Sequence, residues 1–338
     1  MEKANSMKKG SAKGEQLIYH YCSNEKMANI IKTKTLRMSD ISKSNDFEEM
    51  LILYPYIFNE IEKEYEKSQF EFAYSGATKS NAIRSLLDEI HRIIQKDIDR
   101  GELTSFVLCF SEKGDALSQW RGYADDGKGA ALGFSIDEIK KYQKKHRNNL
   151  HFDKVKYKTR TEIKSLITMN ARTALKKLQK MPSPSKWSFL NELDFKHESV
   201  LILLEFYDLI KMILINSLKY KYDGFKEEAE WRIYTVEDHV KISDKAVFEN
   251  TDVDINEINE IRKPYIKAEK VRFNITCDDI IPYVPISCDE ISDTPIKKIV
   301  LGPNNRTVDT DLRLYLGNMG WDDKKIFLEH SNISYRSK

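Results

Sequence analysis

An α+β architecture follows from three observations on this 338-residue sequence. Strand-like runs are interleaved with helical blocks of unequal length, unlike the even alternation of a βαβ array. Two of those blocks, at about 48–98 and 160–220, are long enough to count as large helical insertions. The sequence shows no internal repeat, and its length allows a core that needs no disulfide or metal to hold it.

Residues 1–16, with Lys3, Lys8, Lys9 and Lys13 among small polar residues, read as a flexible tail without the apolar stretch of a signal peptide. The remainder, 17–338, is expected to be a single domain. Leu17 to Tyr21 is a short strand, and Ser23 or Asn24 caps a helix with Met27, Ile30 and Ile31 at helical spacing. Leu36 to Met38 is extended, and Asp40 to Asp46 is a polar loop. Helices are expected over Glu48 to Ser68 and Asn81 to Ile98, the second burying Ile83, Leu86, Leu87, Ile90, Ile93 and Ile94. Ser105 to Ser111 is a strand, followed by a short helix holding Leu117, Trp120 and Tyr123. Gly127 and Gly129 mark a turn before the small-residue strand Ala130 to Phe134. Helices dominate from Arg160 to Tyr220, broken at Pro182 and Pro184. Short strands follow near Val271 to Ile275, Ile299 to Leu301 and Ile326 to Leu328.

The balance of 41% hydrophobic and 32% charged residues is that of a soluble globular chain. Cys22, Cys109, Cys277 and Cys288 form no Cys-x-x-Cys pair and have no histidines at zinc spacing, which predicts a reducing cytoplasm and no metal. The apolar stretch Ser199 to Leu218 is interrupted by Glu205, Asp208 and Lys211, so no membrane span is expected.

Net charge is +2, yet its distribution is uneven. Between Lys140 and Lys186 fifteen Lys and Arg stand against Asp153 and Glu162, a local charge of +13. Within that segment Lys154, Lys156, Lys158 and Arg160 alternate with Val155, Tyr157 and Thr159. As one strand they would display four cations on one face, suited to a polyphosphate or a nucleic-acid backbone. The alternative is a solvated edge strand that uses lysines against aggregation.

Glu228-Ala229-Glu230 precedes the alternating run Trp231 to Val236, so the two-residue strand period would put both carboxylates on one side. Such a pair can stabilise a cation, activate a nucleophile, or face water. Asn45-Asp46 reads equally as a catalytic pair or as a helix cap.

Three pieces stand in a suggestive order. His20 lies in a strand followed by a helix and Thr35-Leu36-Arg37; Phe110-Ser111 ends a strand followed by a helix bearing Trp120 and Tyr123; Glu230 opens a late strand. This order resembles the ADP-ribosyltransferase superfamily, of the diphtheria-toxin and poly(ADP-ribose) polymerase type. The chain also resembles an uncharacterised bacterial family with the signatures Tyr19-His20-Tyr21, Asn45-Asp46, Phe110-Ser111-Glu112, Trp120-Arg121-Gly122-Tyr123 and Glu228 to Arg232, ending in Val300 to Pro303 and Ser334 to Arg336.

The superfamily resemblance implies split antiparallel sheets and NAD as co-substrate, with no metal. It casts Glu230 as the carboxylate that favours the cationic ribose, and Glu228 as base or orienter for the nucleophile. It casts His20, with Tyr21 beside it, against cofactor hydroxyls, and Tyr123 or Trp120 against nicotinamide. Arg121 or Arg37 would pair with the diphosphate, and Ser111 stands where the superfamily carries a Ser-Thr-Ser strand. The acceptor implied is nucleic acid, RNA before DNA, with a protein target or plain NAD hydrolysis as alternatives. The setting implied is that of a toxin or antiphage effector restrained by an antitoxin or regulatory protein. A non-catalytic nucleotide- or RNA-binding module on the same scaffold is the second class. A nuclease using Glu228 and Glu230 as metal ligands is a third, without a matching Asp-rich constellation.

Overall fold

The computed structural model describes residues 15–43, 52–68, 79–99, 103–146, 150–180, 209–210, 213–214, 216–238, 271–275 and 279–335. The fold is α+β, and among the described residues ten strands form one mixed sheet. The tail placed at 1–16, Asn45-Asp46 and the breaks at Pro182 and Pro184 fall outside the described residues. Glu15 and Gln16 are the exceptions, and the Gln16 carbonyl accepts from the Ile136 amide.

Strand β1 (Leu17–Cys22) leads through Ser23 into helix α1 (Asn24–Thr33). The Ser23 hydroxyl accepts from the Lys26 amide, and Lys34 ends the helix in the left-handed region at φ 49°. Strand β2 (Thr35–Asp40) follows. Helices α2 (Tyr54–Lys67) and α3 (Lys79–Asp99) precede β3 (Leu103–Ser111). The helix expected from Glu48 is thus described from Tyr54 onward. Helix α4 (Leu117–Tyr123), β4 (Ala130–Ser135) and helix α5 (Ile136–Lys145) complete the first half. In α5 the buried Ile136, Ile139 and Tyr142 recur every three residues, with Asp137 and Glu138 in the first turn and Lys144 and Lys145 in the last, matching the helix dipole.

The second half holds β5 (His151–Lys154), β6 (Lys156–Lys158), helix α6 (Arg160–Lys180), β7 (Tyr220–Tyr222), a 3-10 turn (Asp223–Glu228) and β8 (Glu230–Asp238). Strands β9 (Arg272–Ile275) and β10 (Ile280–Ser287), helix α7 (Cys288–Ile291), β11 (Ile296–Leu301), helix α8 (Asp309–Asn318) and β12 (Phe327–His330) finish the chain.

The sheet order is β12-β11-β4-β1-β3-β2-β10-β9, with β8 joining β3 and β5 joining β8. Strand β8 lies antiparallel along the whole of β3, from Leu103↔Asp238 to Ser111↔Glu230. The opposite edge of β3 is shared: β1 meets it at Tyr19↔Ser111, and β2 at Ser39↔Val107 and Asp40↔Phe106. Between those contacts the ladder opens at residues 108–110, and this fork is the architectural feature on which the site depends.

One face of the sheet is packed by α1, α5 and α8 around Ile18, Leu36, Phe106, Phe134, Ile233 and Ile299. A second core is mainly helical: Ile57, Ile61, Ile83, Leu86, Ile90, Ile163, Ile167, Ile210 and Leu214 are buried together. The two expected insertions therefore share one apolar interior.

The expected four-cation strand is not one strand. The chain changes partner at Val155, which is buried; its amide bonds to the Glu230 carbonyl, while the next amide, of Lys156, bonds to the Lys219 carbonyl. Lys154 thus belongs to the large sheet, Lys156 and Lys158 to a two-stranded parallel sheet with β7, and Arg160 to the start of α6.

Candidate functional site

His20 and Glu230, from the first and eighth strands, line one cleft that is partly open to solvent. Tyr19, Tyr21, Cys109, Phe110, Gln119, Tyr123 and Glu228 complete its walls. The register pairs Tyr19 with Ser111 and Ser111 with Glu230, so strict alternation turns His20 to the other side of the sheet from Glu230. The fork in β3 relieves this parity. Where the β1–β3 ladder lapses, the His20 Nδ1 lies 3.0 Å from the Cys109 carbonyl, and His20 lines the same cleft as Glu230. A carbonyl can only accept, so Nδ1 carries the proton and the neutral ring leaves Nε2 as an acceptor. Burial lowers the His20 pKa, outweighing the carbonyl contact, and keeps the ring neutral. Phe110 meets the imidazole edge-on at 5.9 Å.

Glu230 is buried and fully engaged. Burial alone would raise its pKa; Arg232, Lys221 and the Cys109 thiol outweigh that and hold it lowered, so the group is a carboxylate at neutral pH. Arg232, with no exposure, grips it with Nε at 2.6 Å and Nη2 at 3.0 Å, and its Nη1 donates to the Leu218 carbonyl at 3.2 Å. Lys221, equally buried, reaches Glu228 at 2.5 Å and Glu230 at 3.4 Å. Two acids and two bases thus close a neutral network, the form in which buried charges persist.

Glu228 and Glu230 converge for a different reason from the strand period. Glu228 ends the 3-10 turn, and Ala229 adopts the left-handed region at φ 46° before β8 starts at Glu230. A non-glycine residue there is strained by about 1–2 kcal/mol. Three hydrogen bonds hold this corner: Glu112 N–H to the Ala229 carbonyl (2.9 Å), Ser111 hydroxyl to the Glu228 carbonyl (2.6 Å), and Glu230 N–H to the Tyr157 hydroxyl (2.8 Å).

The other expected residues divide. Tyr21 lines the cleft, but its hydroxyl is committed, donating to the Lys113 carbonyl and accepting from the Ala116 amide. The Ser111 hydroxyl is likewise spent on the Glu228 and Lys113 backbone. Trp120 is a correction: it is fully buried, meets Tyr21 edge-on at 4.7 Å and donates to Asp115, so no face remains for a nicotinamide. Tyr123, 40% exposed, is the one of the two expected aromatics that lines the cleft wall. Arg37 stacks on Tyr283 and donates to Asn274, away from the cleft wall, and the exposed Arg121 does not line it either.

In the basic segment Lys154 pairs with Glu112 and Lys158 with Glu162, and the Arg160 guanidinium lies over Tyr222. Lys156 is exposed. Among the described residues no group of His, Cys, Asp and Glu forms a metal site, and no helix is long and apolar enough to cross a membrane.

Sequence reasoning missed Lys221, Arg232, Cys109 and Gln119. For Arg232 the signal was present, because a charge two residues from Glu230 in a strand lies on the same side. Tyr19 stands out in the sequence only as part of a motif; its ring forms a wall because Gly114 and Gly133 leave room, a Cβ at either standing 2.7 or 3.0 Å from it.

A family model described as a protein of unknown function (DUF2971) matches residues 119–233. The similarity spans Trp120 to Tyr123, the basic segment and Glu228 to Arg232, and leaves His20 and Ser111 outside it. No curated protein and no solved structure matches the chain.

Proposed function

We propose that this chain is an NAD-dependent ADP-ribosyltransferase built on a split sheet of that superfamily's type. The observation that carries the reading is the fork in β3, which brings an early imidazole and a late carboxylate to one cleft. In this reading His20 Nε2 accepts from a ribose hydroxyl, Tyr123 lies against the nicotinamide ring, and Glu230 favours the positive charge that develops on the ribose. The C1′–N bond breaks with its electron pair leaving on nicotinamide, the acceptor's lone pair closes on C1′, and Glu228 takes the acceptor's proton.

The acceptor class that best fits the basic segment is nucleic acid, RNA before DNA, and a toxin or antiphage role under a restraining partner follows from NAD consumption. Incubation with NAD labelled in the adenylate half, together with cellular RNA, DNA and protein, is expected to release nicotinamide and transfer label to RNA. Label on protein alone would move the acceptor, and absence of nicotinamide release with every fraction would remove the enzyme reading.

A second reading has its own support. Both Glu230 oxygens are already held by Arg232, as suits a scaffold that binds a nucleotide without turning it over. It predicts bound NAD with no nicotinamide released.

If the segment docks RNA, joint replacement of Lys154, Lys156 and Lys158 by Ala should weaken binding and reduce the salt slope by about 0.7 for every phosphate that is no longer neutralised. Pairing with Glu112 and Glu162 places the larger share on Lys156. An identical slope would return these lysines to a solvated surface.

A further inference from the structure

We propose that Gln119 reads the carboxamide of the ligand's aromatic ring, an assignment that rests on the NAD reading above. Gln119 is 7% exposed, and its side chain lines the cleft. Among the described residues its amide makes no hydrogen bond and is not sealed from solvent, so a donor and an acceptor are available at the cleft. A largely buried amide at a cleft wall gains most from a ligand that pairs with both its donor and its acceptor.

The helix fixes what stands beside that amide. Gln119 and Tyr123 are four residues apart on α4 and therefore share a face, which both present to the cleft, while the intervening Trp120 turns into the core. One helix thus offers a flat ring and a primary amide side by side, across from Glu228 and Glu230. The ligand fragment that complements the pair is an aromatic ring bearing a carboxamide: the ring lies on Tyr123, and N–H and C=O of the two amides pair reciprocally. Nicotinamide is such a fragment.

The test compares NAD with its 3-acetylpyridine analogue, in which a methyl group replaces the amide nitrogen and charge is unchanged. Calorimetric titration of the unmodified full chain is expected to show NAD binding about tenfold tighter, the scale of one lost hydrogen bond with its acceptor left unpaired. In Gln119→Leu the two dinucleotides should bind within about twofold of each other, through weakened NAD binding. Gln119→Met removes the same amide with a more adaptable side chain if the Leu variant fails to fold. Equal affinities in the unmodified chain, or a preference that survives both substitutions, would overturn the Gln119 assignment and leave the NAD reading standing. No binding of either dinucleotide to the unmodified chain would overturn both.

Discussion

Glu230→Gln is expected to lower nicotinamide release by about two to three orders of magnitude, the scale of one preorganised electrostatic group lost from a transition state. The loss should fall on kcat, with KM little changed, because the carboxylate matters most when the ribose becomes cationic. The isosteric amide keeps the volume of the side chain and one oxygen for Arg232, so the cleft retains its shape. It also removes a charge from a buried network, so far-UV circular dichroism and thermal melting must accompany the kinetics. A variant that melts like the parent and still turns over NAD at the parental rate would take Glu230 out of the mechanism. Glu228→Gln should cost less, since Glu228 is more exposed and its partner Lys221 keeps Glu230 within reach.

Arg232→Ala is expected to destabilise the folded chain by about 3–5 kcal/mol, measured by urea denaturation, because it leaves Glu230 buried against one distant cation. The guanidinium spans two oxygens of Glu230 and the Leu218 carbonyl, so its removal takes away three hydrogen bonds at once and leaves Glu230 with Lys221 and the Cys109 thiol. The double variant Glu230→Leu with Arg232→Met should be the more stable of the two, since it replaces the pair by apolar volume and leaves Lys221 with Glu228. If Arg232→Ala costs less than about 1 kcal/mol, the network is hydrated and the account of Glu230 as a buried, preorganised charge is wrong.

Much of the fold was legible where one physical signal dominated. Leu17 to Tyr21, Ser105 to Ser111 and Ala130 to Phe134 are apolar runs bounded by turn residues, and each is a strand. Strand β10 was not legible, because Pro282 and Pro285 remove two donors from an eight-residue strand and argue against it. The strand survives because β2 and β9 pair with it on either side. Helix α5 has the spacing and the dipole-matched charges of a helix, but its lysines merge into the basic run that follows. The row from Lys154 to Arg160 failed for a deeper reason: alternation reports a local period, whereas the change of partner at Val155 is decided by residues more than sixty positions away.

The site was legible in residue type more than in geometry. His20 and Glu230 could be singled out, but the strained corner at Ala229 that aims the acids cannot be read from an alanine. Lys221 sits between two tyrosines as an ordinary surface lysine would, and its burial follows from the 3-10 turn folding back over it. Gln119 belongs to no pattern at all; its neighbour Trp120 is the more conspicuous residue, and one step around the helix exchanges cleft for core.

The shared interior of the helical insertions sets an order of events during synthesis. Helices α2 and α3 leave the ribosome early, with Ile57, Ile61, Leu86 and Ile90 still lacking the part of their cover that later residues supply. Their cover, α6 and the residues around Ile210, is translated only after β3, α4, β4, α5 and β5. A nascent chain halted before α6 would therefore carry sticky, half-built helices, making this interval the one in which the newborn protein most depends on chaperones.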